Sequence, residues 1–421
     1  LVVAIAARFI KDNKDGIDVT EVKEVDIVIC GAGLVGLALG AALTQSDLHV
    51  LILDAQSQPQ TPADTRVVRQ GFDLVSGFAP RVSALNKSSI AFLKRIGVWG
   101  SVSRSSAFVA MSVKDAVGTG AIEFDADFIG ASELGRIVEN RRVIDALLLQ
   151  LADADQTEVV WDSKLDDMQA LESGYELTLD DGSQISCALV IGADGGHSKI
   201  RELANLKTVA WSYHQQGVVC NIETQHGHGQ VARQWFTERG PLAFLPLEPT
   251  NLCSIVWSVE NPEDLMAMSA EEFCRELASA SEQELGGILG VDKRFTFPLN
   301  QQHSLRYIKP HLALIGDAAH TIHPLAGQGA NLGFADAEAL ASELLQYRFS
   351  ERGIGDFEAL RRYEKSRQPS NLLMTTAMEA FKRLYSTTNP GINWLRNTGM
   401  KLTNDNTYLK TLIARLASGG G

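Results

Sequence analysis

The stretch VDIVICGAGLVGLALGAALTQSDLHVLILDAQ, residues 25–56, decides the fold. It opens on a mostly apolar run through Cys30 that is too short for a helix and is bounded by glycine. Helical patterning follows from about Leu34 to Gln45, and a second apolar run, His49 to Leu53, ends at Asp54. This order predicts a strand–helix–strand unit with a buried parallel strand on either side of the helix. Between strand and helix stand Gly31, Gly33 and Gly36 in G-x-G-x-x-G spacing. That spacing suits a tight turn, a close approach of diphosphate to the backbone, and close helix–strand packing, with the helix N-terminus presenting free amides to the anion. Asp54 closes the second strand, where a carboxylate can accept from an adenosine ribose. The fingerprint predicts a dinucleotide without separating FAD from NAD.

Outward from this unit, Gln56–Asp64 is polar and proline-containing and reads as a surface connection. Helical periodicity returns at Ser88–Ile96 and over ELGRIVENRRVIDALLLQLAD, where Leu134, Val138, Val143, Leu147 and Leu151 can share one face. GYELTLDDGSQISCALVIGADGG reads as two strands joined by an Asp181-Gly182 turn. Residues 205–300 suggest a mainly β module with a helix near Ala270–Ser279. LALIGDAAH then restores the strand–turn pattern, and GFADAEALASELLQY is a helix. The tail beyond is largely helical, interrupted at Asn389-Pro390-Gly391.

Two later turns carry chemistry. At Asp194-Gly195-Gly196, after a strong strand, Asp194 is placed to brace the turn, and Ser198 and Arg201 to position a phosphate or the local backbone. At Gly316-Asp317, Asp317 ends a strand where it can accept from a polyol. His323, Pro324, Gly327, Gly329, Ala330 and Asn331 follow, a loop whose glycines let backbone approach a flat ring and whose helix points its positive end at it. His320 and His323 are the candidate bases at neutral pH, with loop shaping as the plainer role. Three such turns, brought together, would hold adenosine diphosphate, a linking polyol and a ring in sequence.

Composition limits the alternatives. With 421 residues, 45% hydrophobic and 21% charged, the chain is of ordinary globular type, with room for two domains or more. A formal charge of -13 disfavours nucleic acid as partner. The odd set Cys30, Cys187, Cys220, Cys253 and Cys274 has no C-x-x-C pair, which argues against a disulfide framework and leans toward a reducing, cytoplasmic compartment. His226 and His228 lack partners at ligand spacing, so no metal site is expected. Residues 1–24 show no signal-peptide pattern and are read as an appendage.

At these residues the chain resembles the flavoprotein aromatic hydroxylases of the para-hydroxybenzoate hydroxylase fold, and within them the ubiquinone-biosynthesis type (UbiH/UbiF/VisC/COQ6). The resemblance covers roughly residues 24–390. Gly31, Gly33, Gly36 and Asp54 match its dinucleotide fingerprint, and Asp194 and Gly195 its DG segment. Gly316 and Asp317 match its GD segment, with Asp317 expected at the ribityl chain. Pro324, Gly327, Gly329 and Asn331 match its ring-facing loop. Arg81, Ala84 and Leu85 resemble its R-x-x-A-L segment. Glu139 and Asn140 resemble its E-N helix start, with Asn140 as a flavin-linker contact. Tyr363, Glu364 and Arg367 look family-like, with helical packing the simpler account.

The resemblance implies an α/β fold: an FAD-binding Rossmann-like domain, an inserted mainly β substrate domain and C-terminal helices. It implies boundaries of 25–70 with 132–205 and 306–350 for the FAD domain, 71–131 with 206–305 for the substrate side, and 351–421 for the tail. The implied activity is hydroxylation of a polyprenylated phenol or quinol with FAD, NAD(P)H and O2 through a flavin C4a-hydroperoxide. Hydroxylation of a small soluble aromatic, or a flavin-dependent dehydrogenase or reductase of an isoprenoid lipid, stands beside it. An apolar channel around Phe236, Leu242, Phe244 and Leu245 would suit the tail, although the same residues equally suit a β core. A lipid substrate would bring the protein to the inner face of the cell membrane as a peripheral visitor, with ubiquinone-biosynthesis proteins as partners.

Overall fold

The computed structural model describes residues 22–59, 77–116, 120–322, 329–347 and 353–386, with backbone alone at 212–214 and 381–386. The expectations for residues 1–21, for the 60–64 part of the Gln56–Asp64 connection, for residues 323–328 and for the interruption at Asn389 lie outside them.

The first sheet runs Ile308–Lys309, Leu312–Leu314, Gln184–Gly192, Lys23–Cys30, Val50–Leu53, Thr157–Val160. Lys23–Cys30 pairs in parallel with Val50–Leu53 on one side and with Gln184–Gly192 on the other. The apolar character of these strands follows from burial on both faces: Ile27, Val28, Ile29, Val190 and Ile191 are all inaccessible. Gly174–Leu179 pairs antiparallel with Gln184–Gly192, the hairpin that Asp181-Gly182 predicts.

The helices in chain order are α1 (Leu34–Leu43), α2 (Lys87–Arg95), α3 (Asn140–Ala152), α4 (Lys199–Leu203), α5 (Pro262–Ala267), α6 (Ala270–Ala280), α7 (Gly329–Tyr347) and α8 (Phe357–Ser386). α1 is apolar nearly all round, and it is buried by the sheet, α3 and α7. α8 continues through Pro369, where the sequence offers a stop signal, and packs along α7.

The helix expected across residues 133–153 is corrected. Gly135–Glu139 is a strand, antiparallel to Val82–Asn86, and the helix begins only at Asn140. A Cβ at Gly135 would lie 2.3 Å from the Leu85 carbonyl oxygen, so this close strand contact needs glycine. From this strand Val138 reaches the core that Val143 and Leu147 of α3 share, and Leu134 is buried in a separate cluster with Phe108 and Ile137.

A second sheet runs His320–Thr321, Phe295–Ser304, Thr208–Thr224, Leu252–Val259, Gly240–Pro246, Val231–Thr237, Ala110–Asp115, Ala121–Asp125. One of its faces packs Val218, Cys220, Ile222, Trp235, Leu242, Phe244, Ile255 and Trp257 against Leu265, Phe273 and Leu277 of α5 and α6. Leu242 and Phe244 therefore belong to core under those helices, and Phe236 and Leu245 are also buried, so these four do not line an open channel. The chain leaves the first sheet at Leu314 and enters the second at His320, so the Gly316-Asp317 turn lies at the junction of the two.

Burial pushes the imidazoles of His228 and His303 below their ordinary value, with His320 adding repulsion at His303. A histidine depressed in the folded state binds protons more readily when unfolded. Its stabilising contribution is therefore full above the unfolded value near 6.5 and is lost as pH falls from there through the folded value. Melting temperatures should hold from about pH 8 to about pH 6.5 and decline below that. A midpoint that rises between about pH 6.5 and about pH 5 would contradict the burial of both rings in neutral form.

Candidate active site

The three turns found in the sequence meet. Gly31 adopts φ +113°, and a Cβ there would lie 2.3 Å from the carbonyl oxygen of Ala193, in the second turn. Gly36 is closer still: a Cβ would stand 1.9 Å from Gly31 O. The third segment reaches the same helix through Val35, whose side chain would touch a Cβ at Gly316 at 3.2 Å and at Gly333 at 2.3 Å. The first glycine turn is thus pressed by both later ones.

Gly33 differs. Its backbone is extended (φ -82°, ψ -172°), which any residue adopts, and a Cβ there would meet no protein atom within 4 Å. Neither conformation nor packing demands glycine, so the space in front of it at the N-terminus of α1 fits a group arriving from outside. The amides of that helix end favour an anion.

Asp54 accepts the Ala32 amide at 2.7 Å and the Gln56 amide at 2.8 Å, one on each oxygen. These bonds orient the carboxylate at the end of its strand and leave each oxygen further acceptor capacity for ribose hydroxyls.

In the second turn Asp194 accepts from Lys199 N at 2.7 Å and Ile200 N at 3.1 Å, and Ser198 caps α4 by accepting from Arg201 N. Burial raises the Asp194 carboxyl despite these bonds. Arg201 donates to Gly196 O at 2.7 Å and across to Ala318 O at 2.8 Å, joining the second turn to the third. The structure therefore gives Asp194 a bracing role, and Arg201 a role in local backbone rather than phosphate. Gly195 holds the turn at φ +80°.

Asp317 is exposed on a short 3-10 turn, Gly316–Ala318. The protein around it raises its carboxyl, opposed by His320 and Arg81. Arg81 lies over the Phe297 ring at 5.2 Å, placing a cation beside Asp317 on the substrate-side sheet. The segment that carries Arg81 is pinned by Glu139, which accepts Ala79 N at 2.7 Å and Arg104 Nε at 2.7 Å, and by Asn140 N donating to Arg81 O at 3.0 Å. Asn140 also accepts from Ser83 Oγ at 2.7 Å.

α7 opens at Gly329-Ala330-Asn331. Asn331 donates to Ala84 O at 2.8 Å and accepts from Asn86 N at 3.0 Å and Ser89 Oγ at 2.7 Å, fixing the helix start to the R-x-x-A-L segment. His320 is 2% exposed and its Nε2 is 2.5 Å from Asp336 Oδ2, so it is turned into the protein and away from a substrate. This corrects its candidacy as a base. His323, Pro324 and Gly327 fall outside the described residues.

Both ring nitrogens of His228 are held by backbone, Nε2 with Leu247 O at 2.8 Å and Nδ1 by Gln230 N at 3.0 Å, which leaves no lone pair for a metal.

Sequence reasoning missed Asp336, Asn371 and Gln302. Asp336 was detectable as an acid within the apolar stripe that Gly333, Phe334, Ala337 and Leu340 form on α7. Gln302, whose amide bonds Gly196 O and Thr321 Oγ1, gave no local signal.

Three strand-end turns that meet beside a second sheet, the first opening a helix with G-x-G-x-x-G spacing, are the arrangement of a dinucleotide-binding fold. The FAD binding domain family model matches residues 24–377. The mouse (Mus musculus) protein "Ubiquinone biosynthesis monooxygenase COQ6, mitochondrial" is 34% identical, covering 93% of this chain and 90% of its own length. The Escherichia coli (strain K12) "3-demethoxyubiquinol 3-hydroxylase" is 32% identical, covering 94% and 98%. The fold is that of p-nitrophenol 4-monooxygenase PnpA from Pseudomonas putida DLL-E4, with a TM-score of 0.75 at 18% identity, covering 95% and 99%.

The chain belongs to the FAD-binding aromatic hydroxylases of the para-hydroxybenzoate hydroxylase fold, in the group of the COQ6/UbiH-type ubiquinone monooxygenases. It is an FAD-dependent aromatic-ring monooxygenase.

Proposed function

We propose that this monooxygenase hydroxylates the ring of a polyprenylated phenol or quinol in ubiquinone biosynthesis, with NAD(P)H as electron donor and O2 as cosubstrate. The observation that carries this reading is likeness along nearly the whole chain to a relative named for hydroxylating a demethoxyubiquinol. Convergence of the three turns supports it, because on this reading they would hold the diphosphate, the ribose and the ribityl chain of FAD.

On this reading the α1 N-terminus with Gly31, Gly33 and Gly36 takes the diphosphate, and Asp54 the adenosine ribose. Asp317 accepts from the ribityl hydroxyls, and Asn140 contacts the linker. Gly329, Ala330 and Asn331 present the positive end of α7 to the ring, with Pro324, Gly327 and His323 in the loop before it. FAD held by these residues would supply the redox chemistry, hydride acceptance and oxygen activation, that ring hydroxylation needs. Arg81, over the Phe297 ring of the substrate-side sheet, holds positive charge beside Asp317.

On this reading the discontinuous division given above separates the FAD-binding residues from the substrate side, and α8, Phe357–Ser386, is the described part of the tail. No helix among the described residues is long and apolar enough to cross a membrane. A prenyl-tailed substrate brings the enzyme to the membrane surface as a peripheral protein.

Turnover of the FAD-loaded chain under 18O2, with a short-tailed demethoxyubiquinol and NADH or NADPH, is expected to place one labelled oxygen on the ring. Label taken from water, or hydrogen transfer with no oxygen added, would favour the dehydrogenase or reductase alternative. Turnover restricted to small aromatics without a tail would reassign the substrate class.

A further inference from the structure

Asp336 sits two turns into α7 and is completely buried. A carboxylate so placed persists only where donors replace water. Its donors come from three parts of the fold. Oδ2 accepts Gly316 N at 3.1 Å and His320 Nε2 at 2.5 Å. Oδ1 accepts Arg367 Nε at 2.9 Å and Asn371 Nδ2 at 3.0 Å, both from α8. Burial raises this carboxyl, and His320, Arg367 and Asn371 outweigh it, so it stays below the usual range and ionised.

We infer that Asp336 is a positioning residue for the flavin, with His320 as its clamp: it fixes the Gly316-Asp317 turn to the helix whose N-terminus addresses the ring. Asn331 anchors that N-terminus, and Asp336 holds the turn from further along the same helix. One rigid rod thus sets the distance between the acid that receives the ribityl chain and the helix end that faces the ring. Arg367 and Asn371 brace the carboxylate from behind, so the position of α8 is passed to the turn.

The site accepts only a carboxylate. An asparagine amide would aim its NH2 either at Gly316 N–H or at Arg367 Nε–H, and neither can become an acceptor. His320 could adapt by changing tautomer and Asn371 by turning its amide over, but Gly316 N–H and Arg367 Nε–H could not.

The inference rests on FAD occupying this cleft, not on which ring is hydroxylated, so its test reads flavin binding. His320→Leu removes the clamp and keeps an apolar filler, whereas His320→Gln retains a donor able to reach Asp336. FAD dissociation constants of the full chain, measured by flavin fluorescence, should rise about tenfold in His320→Leu and stay near wild type in His320→Gln. The visible absorption of bound flavin should shift in the first variant alone. Wild-type affinity in His320→Leu, or equal losses in both variants, overturns the proposal. If His320→Leu does not fold, Asn371→Ala removes a donor from the far side of the carboxylate and should weaken FAD several-fold; unchanged affinity there overturns it equally. Loss of ring hydroxylation with intact flavin binding would bear on the substrate reading alone.

Discussion

Gly33→Val is expected to give a folded protein that no longer retains FAD, whereas Gly36→Ala is expected to damage the fold itself. The two glycines belong to one fingerprint and differ in what confronts them. At Gly36 the obstacle is the protein's own backbone, with Gly31 O 1.9 Å from where Cβ would be. Relief requires α1 to lift off its strand, at a cost of about 3 kcal/mol. At Gly33 no protein atom lies within 4 Å, so the valine methyls extend into open space in front of the helix amides. There they displace the diphosphate. Losing two charge-assisted amide contacts, at about 1.5–3 kcal/mol each, lowers FAD affinity at least about 100-fold. Melting curves and flavin titrations of the purified variants separate the two outcomes. Full flavin occupancy in Gly33→Val would mean that the first turn does not cradle a diphosphate.

Asp317→Ala carries the second large effect. The carboxylate of Asp317 is exposed, so the flavin-free fold gains little from keeping the acid there. Its removal should leave the melting temperature of the flavin-free protein unchanged or slightly higher. Binding should respond in the opposite direction, because one or two charged hydrogen bonds to the ribityl chain are lost, corresponding to about 10- to 100-fold in affinity. Equilibrium dialysis against FAD measures the loss. Wild-type affinity, or a large drop in flavin-free stability, would turn Asp317 into a structural cap.

Much of this site was legible because its signals are local. Strand, glycine turn and helix follow one another within residues 25–45, and the geometry that binds an anion is made by neighbours in the chain. The GD and DG turns were legible for the same reason, each directly after an apolar strand. What joins them was not. Arg201 reaches Ala318 across more than a hundred residues, and Gln302 reaches Gly196 over a similar span. Bonds between such distant partners leave no periodicity. The false helix at Gly135–Glu139 has a related cause: Leu134 and Val138 line up in register with Val143 and Leu147, and only pairing with Val82–Asn86 makes the segment a strand. The sequence offers His320 as a candidate base, with loop shaping as the plainer role, and does not show the buried Asp336 that engages it.

The seam between the two sheets limits how such enzymes can be recombined. The strand that frames the substrate side, Phe295–Ser304, is stitched to the cofactor side by Gln302 and by its pairing with His320–Thr321. At the opposite margin Ala121–Asp125 pairs with Ala110–Asp115. A chimera that grafts a relative's substrate sheet onto this flavin scaffold would therefore have to carry Gln302, Arg201 and Thr321 as a matched set.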